Sequence, residues 1–384
     1  MTNQNEKSSS ARLIINDIGN LKYADITIDD NCVIAGHNNI GKSTITKILY
    51  SIIKTEAMYE KLSEEIKNNI EGLSDKEQLL EIKKFENKYA INFVDYNLKT
   101  FIPNLRWNLY ETYISRYLNS TLGKNIKRFS QKECSFIFMH KDFKLNYSYS
   151  VSDRVRGCET EITASIGKTT TKVDITGDYE WFEDATLISS TEVLNYSNLI
   201  SSADTMITGE FNRAKLVSAQ DKDLIDKLNT ESIDMLDENF NVKEGLGFDK
   251  SGYAFYKENG NAIRMQMLGT GKKLFIILDK LLRNKSIYNN TLVMFDEPEE
   301  GMHPEWQLDF IEKLLDINVP FALTTHSPYI LQSLIHYTKK SDVDVKYYTV
   351  EHDSEAGYAE SKEEVKPLKI VKDLTNPILK VRGF

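Results

Sequence analysis

Gly36-His-Asn-Asn-Ile-Gly-Lys-Ser-Thr44 places two glycines five residues apart, followed by a lysine and two hydroxyls. That spacing suits a phosphate cradle. Gly36 and Gly41 let the backbone curl so that successive N–H groups, including those of Asn38 and Asn39, face anionic oxygens. Lys42 then reaches the β- and γ-phosphates of a nucleoside triphosphate, the Ser43 hydroxyl ligates Mg²⁺, and Thr44 completes the loop. The elements needed to hold such a loop stand on either side of it. Cys32 to Ala35 is a short apolar run of strand character, and Ile45 to Ile53 has the apolar period of a helix. A second chemical group lies far downstream, where Thr291-Leu-Val-Met-Phe runs into Asp296 and Glu297. Parallel strands deliver side chains at their carboxyl ends, so both acids are expected in the crevice that receives the loop. There Asp296 holds Mg²⁺ and Glu297 polarises the attacking water.

Two more short motifs complete the set. Phe321-Ala-Leu-Thr-Thr is a second apolar strand ending at His326, from which an imidazole reaches the γ-phosphate. Leu268-Gly-Thr-Gly-Lys opens an apolar-periodic helix, Phe275 to Leu282, and offers the Thr270 hydroxyl and the Gly271 N–H as a second anion site. His303, crowded among Glu299, Glu300 and Glu305, superficially suggests a metal ligand. Pro304 favours instead a turn opening a helix at the nucleotide interface.

The rest of the chain is the scaffold. Leu13 to Ile28 reads as two β runs around Asn20. Lys54 to about Lys132 is charged and helical in period, with Leu62, Ile66 and Ile70, then Leu79, Ile82 and Phe85. Ser135 to Asp178 alternates and is rich in Thr, Val, Ile and Tyr, as antiparallel strands are. Ala185 to Ser189 is a buried strand, Asp221 to Leu236 a helix, and Tyr253 to Met267 a hairpin turning at Asn259-Gly260. The fold class is therefore α/β: a head over 11–53 and 185–384 with a mixed central sheet, interrupted by an insertion over 54–184. That insertion is helical over about 54–132 and β-rich, as an antiparallel subdomain, over about 133–184. Residues 1–10 are polar and expected to be a disordered lead-in.

With 384 residues, 41% apolar and 27% charged, the chain has a globular composition and room for one large domain or two. Its net charge of −9 gives no whole-chain basic signature for nucleic acid. One local stretch, Lys124 to Lys132, leaves room for such a contact, although a solvated face is the plainer reading. Cys32, Cys134 and Cys158 are scattered without a CxxC pair, which suits a reduced cytoplasmic compartment and no structural zinc. No apolar run is long enough to cross a bilayer, so no membrane partner is expected.

Taken together, the four motifs resemble the ABC-type ATPases of the SMC, RecF and OLD group. In that resemblance Gly36 to Thr44 corresponds to Walker A, Phe295 to Glu297 to the end of Walker B, Leu268 to Lys272 to the signature, and His326 to the switch histidine. It implies ATP and Mg²⁺ as cofactors, hydrolysis at Glu297 with Lys42 and His326, and a homodimer or higher homo-oligomer. In such an assembly ATP lies between Walker A of one subunit and the signature of the other. Thr270 stands where the group has serine and keeps the hydroxyl. The glutamine that couples the site to the insertion is unassigned, with Gln131 and Gln78 as candidates by residue type alone. Val345 to Phe384, where His352-Asp353 looks like a polar loop, lacks the pattern of the Toprim nuclease that OLD proteins carry. The closest likeness is to bacterial AAA-family ATPases in which these motifs recur together, and the lack of that nuclease pattern resembles the ATPase subunits of Septu-type and PARIS-type anti-phage systems, which implies a separate effector. A DNA-repair or DNA-organising ATPase contacting nucleic acid through its insertion is the alternative.

Overall fold

The computed structural model describes residues 10–89, 105–122, 131, 133–152, 168–201, 218–230, 244–341, 343–353, 358–364 and 366–381. The expected lead-in, Cys158 and, apart from Gln131, the basic stretch Lys124 to Lys132 lie outside the described residues.

The chain opens with β1 (Ala11–Ile18), β2 (Leu21–Ile28) and β3 (Asn31–Ala35), then enters helix α1 (Lys42–Ile70) directly from the glycine loop. A helix–turn–helix follows with α2 (Asp75–Tyr89), then a π-helical turn at Tyr110–Ile114 leading into α3 (Ser115–Leu122). Strands β4 (Glu133–His140), β5 (Phe143–Ser152), β6 (Lys168–Thr176) and β7 (Asp184–Ile188) precede α4 (Ser197–Ser201) and α5 (Ala219–Asn229). Three short strands, β8 (Gly245–Phe248), β9 (Ala254–Glu258) and β10 (Asn261–Arg264), lead to α6 (Thr270–Arg283). The final part alternates: β11 (Thr291–Asp296), α7 (Pro304–Ile317), β12 (Phe321–Thr325), α8 (Pro328–Thr338), β13 (Lys346–Asp353), β14 (Tyr358–Glu363) and α9 (Pro367–Val381).

Eleven strands form one mixed sheet in the order β6-β5-β4-β1-β2-β14-β13-β3-β12-β11-β7, and β10-β9-β8 form a small antiparallel one. The five strands from β13 to β7 are mutually parallel. Both faces of that half are covered, which explains why its strands read as unbroken apolar runs. Cys32 and Ile34 point into the core shared with α1, whereas Val33 and Ala35 point into the core shared with α6, α7 and α8. The period-2 geometry of a strand divides β11 the same way, with Leu292 and Met294 on one face and Val293 and Phe295 on the other.

Two expectations need correction. His352-Asp353 is not a loop but the end of β13, where His352 is opposite Ala359 of β14, because antiparallel pairing with β14 runs unbroken from Tyr348 to Asp353. The boundary at 54 also falls within continuous structure. α1 runs through residue 54 without a break, and its buried side moves from the sheet core at Ile45 to Ile53 to an arm core at Met58, Leu62 and Ile66. β4 pairs directly with β1, Leu13 opposite Phe138, so the β-rich segment extends the central sheet. The hairpin at Asn259-Gly260 is as expected, with φ of 51° and 77° at the two turn residues.

The arm is tied to α1 by Glu56, whose side chain is 1% exposed and accepts from Arg106 Nη2 at 2.7 Å and Tyr110 Oη at 2.5 Å. Removing one partner of a buried pair strands the other charge. Arg106→Ala is therefore expected to cost about 3 kcal/mol, read as a lower urea midpoint, while Glu56→Leu with Arg106→Met recovers most of it.

Candidate functional site

Gly41 ends the glycine loop at φ 97° and caps α1 without a side-chain hydrogen bond, and the first turn of α1 carries no acidic residue. Its N–H groups are left for an external anion. Glycine is demanded at this point because a Cβ on Gly41 would sit 2.7 Å from Leu21 Cγ. Gly36 meets the same constraint: a Cβ there would lie 2.5 Å from the Val350 carbonyl oxygen.

The loop and the acidic strand end meet as the sequence leads one to expect. Ser43 Oγ donates to Asp296 Oδ1 at 2.7 Å, and Thr324 Oγ1 donates to the same oxygen at 2.6 Å. Lys42 is 2% exposed; its ammonium donates to the His37 carbonyl at 2.7 Å and lies 2.8 Å from Glu297 Oε1. Parallel registry accounts for this convergence, since Asp296 pairs with Thr324, and Thr324 in turn with Ile34, two residues before the loop begins at Gly36. Glu297 adopts the left-handed region, φ 52°, an uncommon conformation for a side-chain-bearing residue and one that recurs at functional sites. Its N–H is anchored at 3.1 Å to both the carbonyl and the hydroxyl of Thr324.

His326 Nδ1 lies 3.4 Å from Glu297 Oε2 and 3.1 Å from Glu299 Oε1, as an ionic contact without the alignment of a hydrogen bond to either. Contact with His326, then Lys42, holds the Glu297 carboxyl down to about 2 against the opposing effect of burial. Glu297 and Glu299 raise the imidazole in return, with burial opposing. The signs define a window: the Glu297 contribution fades as pH falls from the ordinary carboxylate range toward 2. The His326 contribution is full below the ordinary imidazole value and fades as pH rises through the raised one.

Glu299 is a positioning residue that the sequence reading passed over. Buried at 6% exposure, it accepts from Thr325 Oγ1 and His326 N at 2.7 Å and from Ser327 N at 3.1 Å, fixing the turn that carries the imidazole. Its signal was the last acid of Asp-Glu-Pro-Glu. His303 is exposed and caps α7, its Nδ1 accepting weakly from Glu305 N at 3.4 Å. Among the described residues no three His, Cys, Asp or Glu side chains cluster as a metal site. The Ser43 hydroxyl and Asp296 carboxylate supply the hard oxygens that suit Mg²⁺ shared with phosphates, since that ion needs few protein ligands.

Thr270 lines a cleft with Asp296, Glu297, Glu192 and Gly301 that shares Glu297 with the cleft around the phosphate loop but is not bordered by Lys42. Gly271 does not line it; the residue is buried under Trp306, where a Cβ would stand 2.4 Å from the ring. Of the coupling-glutamine candidates, Gln78 donates to the Ile70 and Leu73 carbonyls and closes the arm's turn, away from the site. Asn39 sits at φ 61° and accepts from Asn20, while Asn38 is exposed.

No family model matches the chain. Over 89 residues it is 33% identical to the retron Vc95 probable ATPase of Vibrio cholerae serotype O1 biovar El Tor, a match covering 20% of this chain and 17% of that relative's length. Among solved structures, the SMC head domain from Thermotoga maritima aligns with 93% of this chain and 99% of its own, at 10% identity and a TM-score of 0.38. An Smc head bound to the C-terminal winged-helix domain of ScpA aligns over 94% and 99%, at 12% identity and a TM-score of 0.42. The Smc head with an extended coiled coil bound to the C-terminal domain of ScpA, derived from Pyrococcus furiosus, covers 95% and 99% at 12% identity and a TM-score of 0.40. The functional reading rests on the site's own residues. No described helix is long and apolar enough to cross a membrane.

Glu297→Gln is expected to lower the His326 titration midpoint, because it removes the carboxylate that raises it. Imidazole NMR shifts followed against pH in metal-free buffer check this; an unmoved or higher midpoint contradicts the coupling.

Proposed function

We propose that this chain is an ABC-type ATPase that binds ATP with Mg²⁺, pairs head-to-tail with a second copy, and regulates a separate effector in anti-phage defence. The carrying observation is the meeting of Ser43 with Asp296 at 2.7 Å and of Lys42 with Glu297 at 2.8 Å. A loop whose N–H groups await an anion is thereby joined to a metal-suited carboxylate and a candidate base.

The mechanism follows from competition for Lys42. Its ammonium is shared between the His37 carbonyl and Glu297, and triphosphate oxygens compete with Glu297 for that donor. As Lys42 turns to phosphate, Glu297 loses one of the two contacts that depress its basicity, the larger being that with His326, and is better placed to draw a proton from the attacking water. His326 holds the carboxylate in line, and Glu299 holds His326. Mg²⁺, when bound at Ser43 and Asp296, neutralises charge on the β- and γ-oxygens.

Pairing is supported by the separation of Thr270 from the Lys42 cleft. A hydroxyl that does not border the phosphate loop of its own subunit is available to another subunit's γ-phosphate. Apolar side chains near that cleft, Met267 at 78% exposure and Tyr196 and Leu199 at 59%, suit burial against such a partner. The defence setting is supported by the short likeness to a retron's probable ATPase.

Lys42→Ala is expected to abolish ATP binding by calorimetry; unchanged affinity defeats the site reading. Glu297→Gln is expected to retain binding, slow phosphate release by about 10²- to 10⁴-fold, and elute with ATP as a larger species on size exclusion. Wild-type turnover in that variant removes Glu297 from its role.

A further inference from the structure

β6 is the outermost strand of the large sheet; it pairs with β5 on one side and with no strand of the described residues on the other. Which of its backbone groups face outward follows from the register. A two-residue turn joins β4 to β5, so the flanking His140 and Phe143 form a hydrogen-bonded pair, and the odd-numbered residues of β5 turn their amides toward β4. The even-numbered ones bond to β6, with Asn146 opposite Asp174 and Ser148 opposite Lys172. Thr171, Val173 and Ile175 therefore direct N–H and C=O away from the sheet. Two contacts agree with this parity: Trp107 Nε1 donates to the Val173 carbonyl at 3.2 Å, and Arg106 Nη1 donates to that of Gly177 at 2.9 Å.

The side chains divide in the same way. Val173 and Ile175 pack on the core, whereas Thr170, Lys172, Asp174 and Thr176 are exposed on the other face. A lone lysine on an edge strand discourages pairing, but an acid two residues further on makes this edge complementary to itself. When two such edges run antiparallel with Val173 opposite Val173, Lys172 of each copy stands opposite Asp174 of the other, and Thr170 opposite Thr176. The charged pairs then fall at the non-hydrogen-bonded positions, where opposed side chains are closest. Within one chain Lys172 has no ion-pair partner among the described residues, and Asp174 accepts a long bond from Asn146 Nδ2 at 3.4 Å. A cleft of about 620 Å³ bordered by Trp107, Lys172, Val173 and Asp174 lies against the edge and keeps it open.

We propose that β6 is a self-association surface: two copies join edge to edge about a two-fold axis through Val173, so that the sheet continues from one molecule into the next. The Val173 N–H of each copy donates to the Val173 carbonyl of the other, an oxygen whose second lone pair stays with Trp107. The indole, 43% exposed in the single chain, stands beside the axis and is covered on pairing. β6 and β11 lie toward opposite ends of the strand order, so this contact needs no nucleotide and is independent of the head-to-tail pairing proposed above. Two different two-fold interfaces on one chain build assemblies larger than a dimer.

Light scattering on size exclusion, without nucleotide, compares the wild type with Lys172→Asp and with Asp174→Lys. The wild type is expected to dimerise. Each variant sets like charges opposite one another and is expected to self-associate at least about tenfold more weakly, whereas an equimolar mixture of the two restores opposite charges at both positions and recovers the dimer. A monomeric wild type, a single variant that dimerises as the wild type does, or a mixture that stays monomeric overturns the proposal. Hydrogen exchange on the wild type decides independently of the variants' folding: raising the protein concentration is expected to slow exchange in residues 170–176, and exchange unaltered there overturns the assignment.

Discussion

A lysine ammonium that is 98% removed from solvent must be neutralised where it sits, and the rest of the site is organised around that requirement at Lys42. The charge is met by Glu297 and the His37 carbonyl. Glu297 in turn requires the left-handed turn after β11, and that turn is pinned to Thr324 of the neighbouring strand. Strand registry therefore sets an electrostatic distance. A one-residue slip between β11 and β12 would invert the faces of the strand and carry Asp296 away from Thr324.

The same dependence explains the buried threonines. Thr324 and Thr325 are fully enclosed at the end of an otherwise apolar strand, and each hydroxyl has a carboxylate partner, Asp296 for one and Glu299 for the other. Polar groups in such a place cost free energy unless paired. Here pairing joins three strand ends into one rigid unit, with the imidazole of His326 carried at its edge.

Much of this was legible in the sequence because strong local rules coincided. The glycine loop between a strand and a helix, Asp296-Glu297 after an apolar run, and the hairpin at Asn259-Gly260 each combine a turn requirement with a change of period. What escaped depended on contacts between distant segments. Nothing local marks β4 as the partner of β1, or Gly19 as a neighbour of Thr44, since those contacts follow from sheet order and packing. Charge-rich composition made residues after 54 look like a separate insertion, yet α1 passes that point unbroken because its apolar face changes partner rather than ending. Gly271, read as an anion contact from its motif, is in addition held to glycine by the Trp306 ring lying on it, a constraint no local pattern shows.

The unbroken length of α1 has a mechanical meaning. Its 29 residues begin at the phosphate loop and end at the turn of the arm, a rod of about 43 Å at 1.5 Å per residue. With the sheet as fulcrum under Ile45 to Ile53, a tilt of about 10° displaces the far end, about 31 Å beyond the middle of that contact, by about 5 Å. A tilt of a few hundredths of a turn is thus magnified to molecular scale at a surface far from any phosphate.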